Sequence, residues 1–179
     1  MHRVARLICH LPLVAGASPG MEERGHPVGT VELGAGEGAL EVPQIINGCW
    51  QFAGGHGQLS PDSLVEAMHS LAAGGLNAFD TADIYGPSEK IVGQMVKSCD
   101  QATPPLVLTK LVPRSNSVGA EAVAATVDRS LAALNVASLD LVQYHTWDYG
   151  ISGEVRSSYH YALVSFCEPL IYPIITGRL

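Results

Sequence analysis

Four short apolar runs along the chain have the length of β-strands, and they occupy residues 44–47, 76–79, 106–109 and 139–144. Longer stretches separate them, in which apolar residues recur every three or four positions, as on one face of a helix. Strands that alternate with helices in this way form βαβ units, in which the strands run parallel. The pattern therefore predicts a parallel sheet with helices packed against it.

The predicted helices have local signals that begin or end them. Ser60 and Pro61 suit the start of the first helix, and Gly74 follows its last apolar residue. The third helix is expected to start near Ser117 and to end at Asn135. The apolar faces are Leu64, Met68, Leu71 and Ala72 in the first helix, Ile91, Val92, Met95 and Val96 in the second, and Val123, Val127, Leu131 and Leu134 in the third.

Four residues stand at or just beyond the carboxyl ends of the predicted strands, namely Trp50, Asp80, Lys110 and His145. Parallel strands with helical crossovers form either an open doubly wound sheet or a (β/α)8 barrel, and barrel enzymes gather their reactive groups at this rim. We therefore expect an α/β fold, an incomplete (β/α)8 TIM barrel with four strands and three helices. Four strands cannot close a barrel, so the strand at 139–144 is expected to have an open edge.

Composition narrows the classes of protein further. The 179 residues and 47% hydrophobic content suffice for one domain with its own core, and the net charge of -7 disfavours binding to nucleic acid. No apolar run approaches the ~20 residues that a membrane-spanning helix requires. The four cysteines are far apart, which fits a reducing compartment, and the seven histidines include no HExxH pair, so no metal site is expected.

The amino-terminal region has two interpretations. Residues 1–20 carry Arg3 and Arg6 and no acidic residue, beside a short apolar patch. They fit either a disordered extension or a segment that targets the protein to an organelle. In the first case the protein is expected in the cytoplasm. The glycine-rich run at 34–38 superficially suggests a dinucleotide-binding loop, but no clear strand precedes it, and we interpret it as a hairpin turn or linker.

The residues at the predicted rim suggest acid-base chemistry. A phenol such as that of Tyr85 is a poor acid at neutrality unless a neighbouring cation stabilises its phenolate, and Lys110 is such a cation. A lysine at a buried strand end needs a counter-charge, which Asp80 supplies from the preceding strand. With His145 bonded to a substrate oxygen, the set fits proton transfer to a carbonyl oxygen while an external reductant supplies hydride.

Each of these residues also has a purely structural interpretation: Asp80 as a helix cap, Tyr85 as a loop aromatic, Lys110 as a strand-end side chain that reaches solvent, and His145 as a core histidine. Their joint placement at one rim favours the chemical interpretation. A Schiff-base lysine, as in aldolases, stays an alternative for Lys110, although an adjacent aspartate keeps the amine protonated and opposes nucleophilic attack.

Residues 79–93, FDTADIYGPSEKIVG, closely resemble the signature of the aldo-keto reductase family, in which an aspartate is followed five positions later by a tyrosine, then by glycine and Ser-Glu. Residues 108–111 (LTKL) resemble the family's lysine strand, and residues 48–51 (GCWQ) resemble its first-strand motif. Residues 130–145 resemble the segment that ends in the family's histidine. The resemblance implies a carbonyl reductase that uses NADPH, or less often NADH, without a metal.

The resemblance also implies roles for individual residues. Tyr85 is the proton donor, Lys110 and Asp80 make it a stronger acid, and His145 orients the carbonyl. Cofactor contacts are implied at Gly48, Trp50 and Asp80, and the substrate pocket is implied to include Trp50, Tyr85 and His145. The partner is then a small-molecule aldehyde or ketone. Its identity, the choice between NADP and NAD, and the oligomeric state stay open.

The resemblance divides the chain into three parts. Residues 1–42 form an amino-terminal extension, residues 43–149 correspond to the first half of an aldo-keto reductase barrel, and residues 150–179 form a divergent tail without a strand and helix rhythm. The tail is interpreted as a truncated or misspliced end, because the late residues that hold the cofactor in the family are not recognisable. The chain is thus expected to be a carbonyl reductase in truncated form, with an inactive fragment or a non-enzymatic interaction subunit as the alternative.

Overall fold

The computed structural model describes residues 28–34, 39–54, 57, 59–112 and 119–145, together with the backbone of Ala5–Leu7 and residues 153–154 and 157–158. Within this part of the chain the strands are β1 (Ala5–Leu7), β2 (Thr30–Leu33), β3 (Leu40–Pro43), β4 (Asn47–Gly48), β5 (Ala78–Asp80), β6 (Leu106–Leu111) and β7 (Leu139–Tyr144). The helices are α1 (Pro61–Ala73), α2 (Ser88–Ser98) and α3 (Gly119–Leu134), and a short 3-10 helix spans Trp50–Ala53.

Five of the strands form one parallel sheet, in the order β1, β7, β6, β5, β4. The helices α1, α2 and α3 follow β4, β5 and β6 in the chain, so each helix connects two neighbouring parallel strands. The α/β fold with four sequential parallel strands and three crossover helices, as predicted from the apolar pattern, is confirmed.

The residues at the helix ends explain where the helices begin and end. Ser60 Oγ accepts a hydrogen bond from the backbone N–H of Ser63 at 3.1 Å, which satisfies one free donor of the first turn of α1. Gly75, just beyond α1, has a φ of 89°, and Asn135, just beyond α3, has a φ of 54°. Glycine and asparagine adopt this left-handed region more readily than other residues, so they turn the chain towards the next strand.

The first strand of the predicted series begins later than the sequence indicates. The run at 44–47 contributes only its last residue, because β4 is Asn47–Gly48 and the apolar side chains just before it are exposed. Asn47 Nδ2 donates hydrogen bonds to the carbonyl oxygens of Leu76 and Ala78, at 2.8 and 2.9 Å. This amide aligns β4 with β5, so a polar residue rather than the apolar run sets the start of the strand.

The outer edge of β7 is occupied, which corrects the prediction of an open edge on this strand. β1 runs parallel to β7, with Ala5 opposite Leu139 and Leu7 opposite Val142. A strand edge presents a row of free N–H and C=O groups, and a short extended segment can satisfy them. The other edge strand of the sheet is β4.

The strands β2 and β3 form an antiparallel hairpin within the segment that the sequence assigns to an extension. They flank the run at 34–38, which we interpret as a hairpin turn or linker. Leu40 and Val42 of β3 pack with Ala78, Leu108 and Leu141 on one face of the parallel sheet. The hairpin therefore covers the amino-terminal half of this face.

The opposite face of the sheet packs against the helices. Phe79 and Val107 of the sheet belong to one buried cluster with Met68 of α1, Met95 of α2 and Val127 of α3. The sheet thus has a helix-covered face and a hairpin-covered face, and within the described part of the chain the second is covered only in part. Side chains beyond the hairpin on that face are free to form a site.

Residues 1–4, 8–27 and most of 150–179 lie outside the described residues. The extension or targeting segment at the start of the chain and the divergent tail at its end therefore stay predictions. None of the described helices is long and apolar enough to cross a membrane.

Helices α2 and α3 make backbone contact at Gly93. A Cβ placed on this glycine would lie 2.5 Å from the carbonyl oxygen of Leu134 and 2.7 Å from its carbonyl carbon. Contacts this short do not occur for real side chains, and the neighbour is backbone rather than the movable end of a side chain. The two helices therefore reach this separation only because position 93 has no side chain.

Gly93→Ala is expected to lower the free energy of unfolding by about 1–3 kcal/mol, because α2 and α3 must move apart. The matched control is Gln94→Ala on the exposed side of the same helix, which should be neutral or slightly stabilising. Urea unfolding of both variants and the wild type provides the comparison. Equal stability of Gly93→Ala and wild type would show that the contact can relax without cost.

Candidate active site

The hairpin leaves uncovered a row of polar side chains at the carboxyl ends of three strands. Side chains alternate along a strand, so the residue two positions after a hairpin-facing one shares its face. On β5, β6 and β7 these residues follow Ala78, Leu108 and Leu141 and are Asp80, Lys110 and Gln143. The apolar part of each strand thus lies against the hairpin, and the polar end of each strand lies beyond it.

Asp80 and Lys110 form an ion pair between Oδ2 and Nζ. The Lys110 ammonium also donates to the backbone carbonyl of Thr81 at 3.0 Å. The side chains are only 14% and 23% exposed for Lys110 and Asp80, so solvent screens the attraction less than it would on an open surface. The lysine is therefore held in one place by a charge and by a carbonyl dipole.

Gln143 contributes a second contact to the carboxylate, which the sequence did not predict. Its Nε2 donates to Asp80 Oδ1 at 2.9 Å. The signal available in the sequence was the period of two, because Gln143 follows Leu141 by two positions in the predicted strand and hence shares its face. Both oxygens of Asp80 thus have a donor.

Tyr85 lies beside the ammonium in the turn between β5 and α2. Lys110 Nζ is 5.2 Å from the centre of the Tyr85 ring, within the range of a cation–π contact. The Trp50 ring meets the Tyr85 ring edge-on, with 5.0 Å between their centres and 77° between their planes. Tyr85 therefore contacts both a cation and an aromatic ring, and Trp50 itself is 42% exposed.

Backbone contacts hold the turn that carries Tyr85. The N–H of Asp83 donates to the Lys110 carbonyl at 3.0 Å, and the N–H of Tyr85 donates to the Ala82 carbonyl at 3.1 Å. Gly86 has a φ of 55°, and a Cβ at this position would lie 3.3 Å from the carbonyl oxygen of Ala53. The left-handed conformation thus favours glycine after Tyr85, and the close approach of the 3-10 helix leaves little room for a side chain there.

Buried polar groups tie the same turn to β4. The hydroxyls of Thr81 and Ser88 are 2.8 Å apart, and Ser88 Oγ donates to the Cys49 carbonyl at 3.0 Å. Both hydroxyl residues are fully buried. The N–H of Cys49 in turn donates to the Asp80 carbonyl at 2.9 Å, so the turn and the ion pair rest on one hydrogen-bonded frame.

His145 follows β7 directly, and its backbone N–H donates to the Leu111 carbonyl at 3.1 Å. Burial lowers the pKa of its imidazole below the ordinary value of 6.5, the Lys110 charge lowers it further, and the Asp80 charge acts in the opposite direction. The imidazole is therefore neutral near pH 7, and it offers a hydrogen bond rather than a positive charge.

Cys49 lies behind the ion pair and is buried. Burial, and secondarily the Asp80 charge, raise the pKa of its thiol to about 12, although Lys110 and a backbone hydrogen bond oppose the rise. The thiol stays protonated and is a poor nucleophile. Cys49 thus contributes packing to this region, and its reactivity is suppressed.

The structure therefore brings the predicted catalytic residues Asp80, Tyr85 and Lys110 into contact, and His145 stands at the same ends of the strands. Of the residues implied for the cofactor, Trp50 contacts Tyr85. Gly48 is opposite Asp80 in the sheet, and a Cβ there would meet no atom of the residues that the structure describes within 4 Å. The roles of these residues stay predictions. Among the described residues no group of three or more His, Cys, Asp or Glu side chains could hold a metal ion.

Comparison with known proteins identifies the family. The model of the aldo/keto reductase family matches residues 44–168, which is more than half of the chain. This chain belongs to the aldo-keto reductase family. The match continues beyond residue 149, where the resemblance of the sequence motifs ends.

Solved structures of aldo-keto reductases share the fold. A Brucella melitensis aldo/keto reductase is 28% identical, with a TM-score of 0.59 over 79% of this chain. An aldo-keto reductase from a Medee basin deep-sea metagenome library is 26% identical, with a TM-score of 0.56 over 73% of this chain. An aldo-keto reductase from Klebsiella pneumoniae, solved in complex with NADPH, is 24% identical, with a TM-score of 0.54 over 70% of this chain. The predicted partial TIM barrel is confirmed.

The chain spans about half the length of these structures, since it covers 50%, 43% and 42% of them in the same order. The matched part includes the strands that carry Asp80 and Lys110, and His145 directly after β7. What the longer proteins do as a whole is therefore a matter of proposal for this chain.

Lys110→Met is expected to lower the free energy of unfolding by about 3 kcal/mol, because Asp80 is left charged with one partner fewer. This value is the lower end of the range for breaking a buried ion pair. Chemical denaturation at pH 7 measures the loss. The control is the double variant Lys110→Met/Asp80→Asn, which removes the isolated charge and keeps an acceptor for Gln143. It should be more stable than the single variant. If it is not, the cost does not come from the unpaired carboxylate.

The pKa of His145 predicts a pH dependence of stability. Because the folded-state pKa lies below the ordinary value of 6.5, the unfolded chain binds more protons at mildly acidic pH. The stabilising contribution is fully present above about pH 6.5 and is lost as the pH falls towards the folded-state pKa. Denaturation curves between about pH 7.5 and 5.5 should show the wild type losing stability relative to His145→Gln as the pH falls. A constant difference would contradict a depressed pKa.

Proposed function

We propose that this protein is a carbonyl reductase of the aldo-keto reductase type, in which NADPH reduces an aldehyde or ketone and Tyr85 donates the proton. The observation that carries the proposal is the position of the Lys110 ammonium, paired with Asp80 and 5.2 Å from the Tyr85 ring centre. A phenol releases its proton to a neighbouring oxygen more readily when a fixed positive charge stands beside it.

The other residues of the rim support this assignment by their chemistry. His145 is neutral near pH 7, so it can hydrogen-bond a carbonyl oxygen and orient it towards Tyr85. The rings of Trp50 and Tyr85 are nearly perpendicular, and the exposed part of Trp50 offers an apolar surface to a substrate. The proton would pass from Tyr85 Oη to the substrate oxygen, and the Lys110 charge would stabilise the phenolate that remains.

The cofactor belongs to the same proposal. Gly48 fits an approach by the nicotinamide, since no atom of the described residues lies within 4 Å of the place its side chain would fill. Gly48, Trp50 and Asp80 would line the near side of that ring, and NADPH supplies the hydride when bound. The Klebsiella pneumoniae relative was solved with NADPH, which supports the choice of cofactor. A small-molecule carbonyl compound as partner and a location in the cytoplasm complete the proposal.

The alternative is an inactive fragment or a non-enzymatic interaction subunit that keeps the same half-barrel. The observation in its favour is the open sheet, whose described edges are β1 and β4 rather than the joined strands of a closed barrel. An open rim gives a nicotinamide fewer walls than a closed one, which weakens binding.

The two functions are separated by an assay of NADPH oxidation with a panel of aldehydes and ketones. The assay uses the purified 179-residue chain and a chimera in which its residues 1–145 are followed by the later half of the Brucella melitensis protein. Turnover in the chimera supports the reductase chemistry of the rim, and turnover in the 179-residue chain itself separates a reductase from an inactive fragment. A folded chimera that binds NADPH and reduces none of the panel favours the non-enzymatic alternative.

Tyr85→Phe in the chimera is expected to lower kcat by about 100-fold or more, which is the usual contribution of a general acid. The dissociation constant of NADPH should stay about the same, because only the hydroxyl is lost. The control is Tyr144→Phe, a phenol of the same sheet that packs against the helix-side cluster. Unchanged turnover of Tyr85→Phe would refute its role as proton donor.

A further inference from the structure

The contact between Gln143 and Asp80 crosses a whole strand. In the sheet β7 and β5 are separated by β6, and neighbouring strands are about 4.8 Å apart. Gln143 is opposite Lys110 in register, yet its Nε2 reaches past that lysine to Asp80 Oδ1 at 2.9 Å. A long side chain is thus used to join two strands that are not neighbours.

The two oxygens of Asp80 are divided between two donors. Gln143 donates to Oδ1, and Lys110 donates to Oδ2. The terminal torsion of an aspartate has a broad energy minimum, so a single contact leaves the carboxylate free to rotate. The second contact removes this freedom and adds no charge, because an amide does not ionise.

The position of the ammonium follows from that of the carboxylate. Lys110 has three N–H donors, and within the described residues two of them go to Asp80 Oδ2 and to the Thr81 carbonyl. If the carboxylate rotates, Oδ2 leaves this position and the lysine loses its charged partner. The flexible four-carbon stem would then carry the ammonium away from the Tyr85 ring.

We propose that Gln143 is the positioning residue of this site: it holds Asp80 so that the Lys110 ammonium stays beside Tyr85. Its importance for proton transfer rests on the proposed function, whereas the contact itself does not. Gln143 touches Asp80 and acts on the reaction only through that residue and Lys110.

The reactivity of lysines in the 179-residue chain tests the proposal without any catalytic assay. The lysines of the chain are Lys90, Lys97 and Lys110, and the first two are exposed on α2. Brief acetylation with acetic anhydride followed by peptide mass spectrometry gives the rate at Lys110 relative to the other two as internal standards. Circular dichroism confirms that each variant is folded.

Gln143→Met keeps the length of the side chain and removes its N–H donors. We expect it to raise the relative acetylation rate of Lys110 by about tenfold. One hydrogen bond to a charged group shifts an equilibrium, here between the paired and the displaced ammonium, by about this factor. Gln143→Asn keeps the amide on a shorter stem that cannot span β6, and it should act in the same direction. In an Asp80→Asn background Gln143→Met should add nothing, because the pair it orients is already gone.

Two results would overturn the proposal. An unchanged relative rate at Lys110 in folded Gln143→Met and Gln143→Asn would show that the amide does not hold the pair. An equal rise of the relative rate at Lys110 in Gly93→Ala, which disturbs the α2–α3 contact rather than the ion pair, would show that Gln143 acts only through the stability of the fold. Neither result depends on turnover, so a failure here is distinct from a failure of Tyr85 in the reductase assay.

Discussion

The ion pair between Asp80 and Lys110 is the interaction on which the rest of the site depends. A charge at a mostly buried strand end is stable only when its partner and its remaining hydrogen bonds are in place. Here the partners come from three parallel strands and from the turn after β5, so the pair forms only when all of them are in register. The requirement to satisfy two charges therefore also fixes the ammonium beside the Tyr85 ring.

The β2–β3 hairpin determines which part of the sheet can carry these charges. It buries the first half of one sheet face with leucine and valine and leaves the carboxyl half open. The polar residues lie two positions further along each strand and thus next to this apolar layer, where solvent screens their charges less. Charged and apolar residues thus share one face of the sheet: the apolar residues lie in the first half of each strand and the charged residues at its carboxyl end.

The apolar pattern predicts the strands and helices that bury a whole face. It also predicts the position of Asp80, Lys110 and His145 at the rim, because each stands at or just beyond the end of a predicted strand. It does not predict β1 or the start of β4. A strand of three residues has no periodicity to detect, and β4 is aligned by the amide of Asn47. The pattern also does not predict a role for Gln143. That role depends on a contact with Asp80, and the sequence does not show which residue the Gln143 side chain reaches.

The pairing of β1 with β7 has a consequence for how the chain folds during synthesis. Ala5 begins the first of the strands and helices described here, and its register partner Leu139 is made only after all the others. Contacts between such distant segments form late, because a long loop must close before they add any stability. The three βα units can assemble on the ribosome before β7 is made and pairs with β1. At each stage the edge of the strand made last is unpaired and can contact other chains.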